Sequence, residues 1–251
     1  MMTQWEAIEK RVSCRTFRDM LPARELIDSL IERTRELAEE SGADIRFVYS
    51  TDIGRPVVKL SPSMFSGGVY AAAALIGGTD PLSAEKLGYY GEELLLYAAR
   101  LGLGTCWVAG TYEPDSIDVR PAEGERLWGV IPMGYAAEPT PMKQKMIRGA
   151  LRAKSRKIES MIQGDCAFSD LPGWVRTGVE AVRMGPSAVN GQPVNIVYEG
   201  GRVFARIIKD NHGLQLNDLG IAKRQFEAGA AHCGVSGTWQ WGDGAQFVVR
   251  Q

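Results

Sequence analysis

Residues 87–107 read LGYYGEELLLYAARLGLGTCW, and residues 219–239 read LGIAKRQFEAGAAHCGVSGTW. They align without a gap at an offset of 219 − 87 = 132. Identities fall at Leu87/Leu219, Gly88/Gly220, Ala98/Ala230, Ala99/Ala231, Gly102/Gly234 and Trp107/Trp239. At average residue frequencies about one or two matches arise by chance, so six mark an internal repeat. A second anchor extends it. Leu21-Pro22 precedes Val48-Tyr49 by 48 − 21 = 27 positions, and Leu171-Pro172 precedes Val197-Tyr198 by 197 − 171 = 26.

Each half is therefore predicted to run helix, strand, strand, helix, strand. In the first half, residues 22–41 carry a helical stripe of Leu26, Ile27, Leu30, Ile31, Leu37 and Ala38. Strands are predicted over 45–49 and 69–76, a helix over 91–101 stopped by Gly102 and Gly104, and a strand over 130–135. In the second half, helices are predicted over 174–183 and 219–233 and strands over 195–198, 203–208 and 245–249. Glu199-Gly200-Gly201-Arg202 is predicted as a hairpin turn. Proline and charge between 140 and 155 read as a linker, giving halves 1–143 and 144–251. Helices mixed with mostly antiparallel strands predict an α+β fold. No G-x-G-x-x-G follows a strand, which argues against a dinucleotide site of the Rossmann type.

Composition narrows the function classes. The 251 residues carry 29 Lys and Arg against 30 Asp and Glu, a net charge of 29 − 30 = −1, with 45% hydrophobic residues. A chain of this size buries a core without disulfides or metal. The charge balance gives no global attraction to nucleic acid or anionic lipid. The longest apolar run, 69–76, falls well short of the ~18 residues a membrane span needs, and residues 1–10 lack the apolar segment of a signal peptide. Cys14, Cys106, Cys166 and Cys233 form no close pair, and only His212 and His232 are present. A disulfide framework, a zinc site and a Ser-His-Asp hydrolase are disfavoured. The expectation is a cytoplasmic protein without a metal, whose chemistry is carried by a bound group.

Three segments could hold such a group. In Lys10-Arg11-Val12-Ser13-Cys14-Arg15, the alternating Arg11, Ser13 and Arg15 would project to one side of an extended chain and suit a phosphate; the plainer alternative is a solvated basic edge. Met184-Gly185-Pro186-Ser187-Ala188-Val189-Asn190-Gly191-Gln192-Pro193 is either a binding loop or an ordinary turn. Residues 102–110, GLGTCWVAG, are either a helix stop or a stretch where backbone amides can approach a planar ring. The aromatic residues Phe65, Tyr70, Tyr89 and Tyr90 are expected mostly in the core, with a pocket lining as the alternative.

Together and in this order, R-x-S-x-R, G-L-G-T-C-W and P-S-x-x-N-x-Q-P resemble the FMN-dependent nitroreductase family, and the tandem halves resemble its two-halves-fused branch. The resemblance implies a three-layer α-β-α fold. It also implies FMN as cofactor, NAD(P)H as electron donor and a small electron-poor acceptor such as a nitroaromatic or quinone. A non-catalytic flavin-binding or flavin-sequestering protein is the alternative. Family members usually place two flavins between two subunits. Here R-x-S-x-R lies only in the first half and P-S-x-x-N only in the second. That division implies a monomeric, intramolecular pseudo-dimer with one complete site and one degenerate site. By the same resemblance, Arg11, Val12 and Ser13 meet the phosphate and ribityl end, and Arg15 the flavin N1 and C2=O edge. Ala109 and Gly110 meet N5 and O4, and Pro186, Ser187, Ala188 and Asn190 form the loop from the other half. Lys154 and Arg156 match late basic residues that pair with phosphate.

Overall fold

The computed structural model describes residues 2–250, the side chain of Arg152 excepted. It packs as two compact units. The first takes the chain up to Thr79 together with Glu93–Ala150; the second takes Asp80–Glu92 together with the chain from Leu151. The division differs from a simple cut at 143/144. Residues 80–92 pack with the second half, and the boundary after the first half falls at 150/151.

In the first unit, α1 (Gln4–Lys10) starts on a capping box between Thr3 and Glu6 and ends at Arg11, whose extended backbone releases the chain from the helix. Then follow α2 (Arg24–Ser41), β1 (Asp44–Tyr49), β2 (Ala71–Gly78), α3 (Pro81–Arg100), β3 (Gly104–Thr105), β4 (Glu125–Gly134) and α4 (Met142–Arg152). The strands form an antiparallel sheet in the order β1-β2-β4-β3. Residues 71–77 of central β2, AAAALIG, are all buried, as a strand covered on both faces requires. One core cluster gathers Cys14, Phe17, Val69, Ala72, Ile76, Cys106 and Val130.

The second unit contains β5 (Ile162–Gly164), α5 (Gly173–Met184), β6 (Val194–Glu199), β7 (Arg202–Ile207), α6 (Gln215–His232), β8 (Gly237–Trp239) and β9 (Gln246–Val249). Its sheet runs β5-β6-β7-β9-β8, with β5 parallel to β6 and the rest antiparallel. Without β5, the order matches the first sheet strand for strand. Its core centres on Phe226, in edge-to-face contact with Trp174, Trp239 and Phe247 at centroid distances of 6.1, 5.4 and 5.4 Å.

Two expectations need correction. The helix expected over 91–101 begins at Pro81, capped by Asp80, whose Oδ1 accepts from Ser83 N at 3.0 Å. Gly88 and Gly91 look like breakers in sequence, but Gly88 serves a close crossing. A Cβ on Gly88 would lie 2.1 Å from Asn217 O, and one on Gly220 would lie 2.0 Å from Glu85 O. These contacts exchange under the repeat offset (88 + 132 = 220, 85 + 132 = 217), the reciprocity of an isologous contact. The linker expected near 140–155 is largely the helix α4. Pro139 and Pro141 precede it rather than break it, and Gln144 is buried on its inner side. Short β3, β5 and β8 were too brief to show as patterns.

Candidate flavin-binding site

Within the first unit, the R-x-S-x-R segment and the G-L-G-T-C-W segment run side by side. Ser13 bridges Thr105 in parallel, and Cys14 N donates to Thr105 O at 2.8 Å. On the other side Ser66 N donates to Arg15 O at 3.0 Å, and Phe17 N to Ser66 O at 2.9 Å. Gly104 makes the approach possible, since a Cβ there would lie 2.8 Å from Cys14 Sγ. The segment is thus an extended stretch held by isolated bridges to β3 on one side and to the chain at Ser66 on the other, as the alternation of Arg11, Ser13 and Arg15 requires.

The polar chemistry of this junction is left open. Arg11 Nη1 and Thr105 Oγ1 are buried and have no hydrogen-bond partner among the described residues. So is Arg148 Nε, on α4. A buried polar group without a partner costs about 1–3 kcal/mol, more when charged, so an unsatisfied set beside one segment marks a place for a ligand. The charges converge there. Burial pushes the Cys14 thiol up to about 11, with Arg148 and Arg15 pulling the other way. Burial likewise raises the Cys106 thiol, opposed by Arg15, Arg11 and a hydrogen bond from Ser13. Both thiols are held neutral and serve as packing. Arg15 forms no ion pair among the described residues. Asp19, the carboxylate that could have braced it, accepts instead from Gly68 N at 2.7 Å and Tyr70 OH at 3.5 Å.

After β3 the chain opens. Ala109 and Gly110 are exposed, and a Cβ on Gly110 would meet nothing within 4 Å. Neither backbone N–H donates to a described protein atom. Two free amides in open space, a few residues beyond the unpartnered Thr105, suit the polar edge of a planar ligand.

The remaining site residues lie in the second unit. Pro186, Ser187, Ala188 and Asn190 form a tight loop before β6. Val189 (φ 47°), Asn190 (φ 57°) and Gln192 (φ 45°) are left-handed. Gln192 N donates to Ser187 Oγ at 2.9 Å, and Asn190 Nδ2 to Leu151 O at 2.7 Å and Ser155 Oγ at 3.0 Å. Lys154 is exposed. The Arg156 guanidinium, whose pKa burial lowers, donates to Gln192 O at 3.0 Å and to Ser160 O. One of its donors is thus held by the backbone of the loop at Gln192 and another by the backbone of the turn at Ser160. The cation that the sequence missed is Arg148. It lies on the inner face of a helix mistaken for a linker, and the spacing of Gln144, Ile147, Arg148 and Leu151 was the available signal. Of the four aromatic residues, Phe65 and Tyr70 are buried, whereas Tyr89 and Tyr90 form a half-buried cluster with Trp241.

A family model described as "Putative TM nitroreductase" matches residues 3–230. The chain belongs to the nitroreductase family. Its fold is that of a solved nitroreductase family protein from Thermotoga maritima, at 22% identity and a TM-score of 0.64, covering 99% of this chain and 93% of that one. A nitroreductase titled FMN-dependent, from Clostridium difficile, aligns at 17% identity over 53% of this chain and 88% of its own, with a TM-score of 0.38. A protein from Parabacteroides distasonis titled NADH dehydrogenase/NAD(P)H nitroreductase aligns at 24% over 55% and 90%, with a TM-score of 0.40. No curated protein matches. Nitroreductases are oxidoreductases and generally flavin-dependent. Among the described residues, no helix is long and apolar enough to cross a membrane, and no cluster of His, Cys, Asp or Glu could hold a metal ion.

Proposed function

We propose that this nitroreductase binds one FMN per chain and is an NAD(P)H-dependent oxidoreductase acting on a small electron-poor acceptor such as a nitroaromatic or quinone. The observation that carries the reading is the set of Arg11, Thr105 and Arg148, whose buried polar atoms lack partners among the described residues, together with the free amides of Ala109 and Gly110. In this reading Arg11 and Arg148 bind the phosphate as charge-assisted donors, with Ser13 and Val12 along the ribityl chain. Arg148 takes the part the sequence suggested for Lys154 and Arg156. Arg15 presents its guanidinium to the N1 and C2=O edge, where negative charge gathers on reduction. Ala109 and Gly110 offer their N–H groups to the N5 and O4 edge, and the 186–190 loop of the second half contributes its polar groups to flavin binding. FMN, when bound, supplies the hydride-transfer chemistry, and the protein supplies orientation and electrostatics. The monomeric pseudo-dimer belongs to the same reading, supported by the matching sheet orders and the reciprocal Gly88/Gly220 crossing.

The test is an absorbance spectrum of the purified protein, followed by anaerobic titration with NADH and NADPH. A flavin spectrum bleached by either donor is expected. Flavin that stays oxidised with both would leave a flavin-sequestering protein, and a colourless protein that takes up no added FMN would overturn the reading.

A further inference from the structure

The 186–190 loop holds an unusual conformation, to which its own Ser187 and Asn190 side chains contribute only part of the support. Val189 is β-branched, adopts φ 47° and ψ 23°, and is 59% exposed. A β-branched residue in the left-handed region is an outlier. Such geometry persists only where the surroundings over-determine it, and it gathers at functional sites. Since the Val189 side chain is mostly in solvent, the backbone on either side must hold it there.

Besides the loop's own turn bonds, Asn190 N to Ser187 O and Gly191 N to Ala188 O, that hold comes from Asn211 and from Asp218 on α6. Asp218 is 4% exposed, and its Oδ1 accepts from Ala188 N at 3.0 Å. Its Oδ2 accepts from Asn211 Nδ2 at 2.6 Å, and the same Asn211 amide donates to Ala188 O at 2.9 Å. Asp218 and Asn211 thus grip both backbone polar groups of Ala188, the residue immediately before the strained valine. Asn211 also packs on Gly191, where a Cβ would lie 2.3 Å from Asn211 Oδ1. The surroundings of the carboxylate are Met161, Val182, Pro186 and Ala222, with Ser187 and Gln192. Desolvation there pushes its pKa up to about 6, against the pull of the two hydrogen bonds. An acid this poorly solvated needs a compensating role.

We propose that Asp218, working with Asn211, is a positioning residue that locks the 186–190 loop in its left-handed form so that the loop can meet the flavin. The proposal rests on the functional reading above for the flavin and on the geometry alone for the lock. Hydrogen exchange of the 187–191 amides tests the lock without any flavin. Asp218→Asn puts an amide against the Asn211 amide and should speed exchange at Ala188 at least tenfold. FMN titration tests the consequence: Asp218→Asn should weaken binding fivefold or more while the melting transition stays cooperative. Glycine adopts positive φ without steric cost, so Val189→Gly in the Asp218→Asn background should bring the loss below twofold. A residue that merely stabilised the fold would show no such rescue. Unchanged exchange in Asp218→Asn overturns the lock. Faster exchange with unaltered FMN affinity, or failure of Val189→Gly to rescue, overturns its role in positioning. Wild-type protein that binds no FMN removes the functional reading instead, and the exchange measurement separates the two failures.

Discussion

Two short segments occupy equivalent places after the two matching helices and have opposite character. In the first half, Ala109 and Gly110 follow β3 with exposed backbone and amides that no described protein atom accepts. In the second half, the same offset brings Trp241 and Gly242 to these positions (109 + 132 = 241, 110 + 132 = 242) after β8. There Gly242 N donates to Glu85 Oε2 at 2.7 Å. The carbonyls of Gln240 and Gly242 each accept from Lys223 Nζ at 2.9 Å, and Lys223 is also paired with Glu85. The Trp241 indole lies against Tyr89 and Tyr90, with centroids at 5.5 and 6.2 Å. One segment is left as an open edge; its counterpart is tied shut by a buried ion pair and roofed by an aromatic ring. Two aligned segments can thus keep an equivalent place after a helix and strand while one leaves its amides open and the other gives its glycine amide to the protein itself.

The comparison can be broken most directly by counting. Heat-released flavin should amount to one FMN per chain, and two per chain would show that the closed segment is no obstacle. The next largest effect concerns the closure itself. Lys223 and Glu85 are 0% and 1% exposed. Burial lowers the lysine pKa while the pairing with Glu85 raises it. Removing one partner of a buried pair costs about 3–5 kcal/mol, so Lys223→Met should lower stability by that amount in chemical denaturation. Lys223→Met with Glu85→Gln should recover most of it, and a single variant as stable as wild type would show that the closure carries no weight.

On the open side, Arg11→Ala should weaken FMN binding by ~1.5–3 kcal/mol, the scale of a charge-assisted hydrogen bond, at little expense in stability. Unchanged affinity in a fluorescence titration would return Arg11 to a solvated edge. Arg15→Leu sharpens the comparison further. Losing one such contact to the reduced ring, at ~30 mV per ~1.4 kcal/mol for a two-electron couple, should lower the flavin potential by roughly 30–65 mV, with Arg15→Lys retaining much of the wild-type value. A potentiometric titration with no shift would leave Arg15 a structural residue.

The repeat was legible because it is anchored by residues that geometry demands, a glycine at a helix crossing and a tryptophan in a core. The same glycines hid the first ten residues of α3, since a local reading takes Gly88 and Gly91 as breaks, whereas the need for a missing Cβ arises only from Asn217 far along the chain. The site was legible as motifs but not as a set of partners. The basic run from Arg148 to Lys157 announces a cation for an anion. Which one faces the Arg11 strand depends on the phase of a helix and on a unit boundary that passes between Ala150 and Leu151. Nothing in the composition of Trp241-Gly242 reveals that its amide is already taken by Glu85.

The reciprocal contact of Gly88 with Asn217 and of Gly220 with Glu85 also bears on divergence. In a symmetric assembly of identical chains, every substitution at such a crossing is made twice, once on each side of the axis. Encoding both sides in one gene removes that constraint. Glu85 pairs with Lys223, whereas their counterparts are Asn217 and Gly91 (85 + 132 = 217, 223 − 132 = 91), so the ion pair on one side has no twin on the other. A substitution on one side of the crossing then carries no obligatory copy on the other.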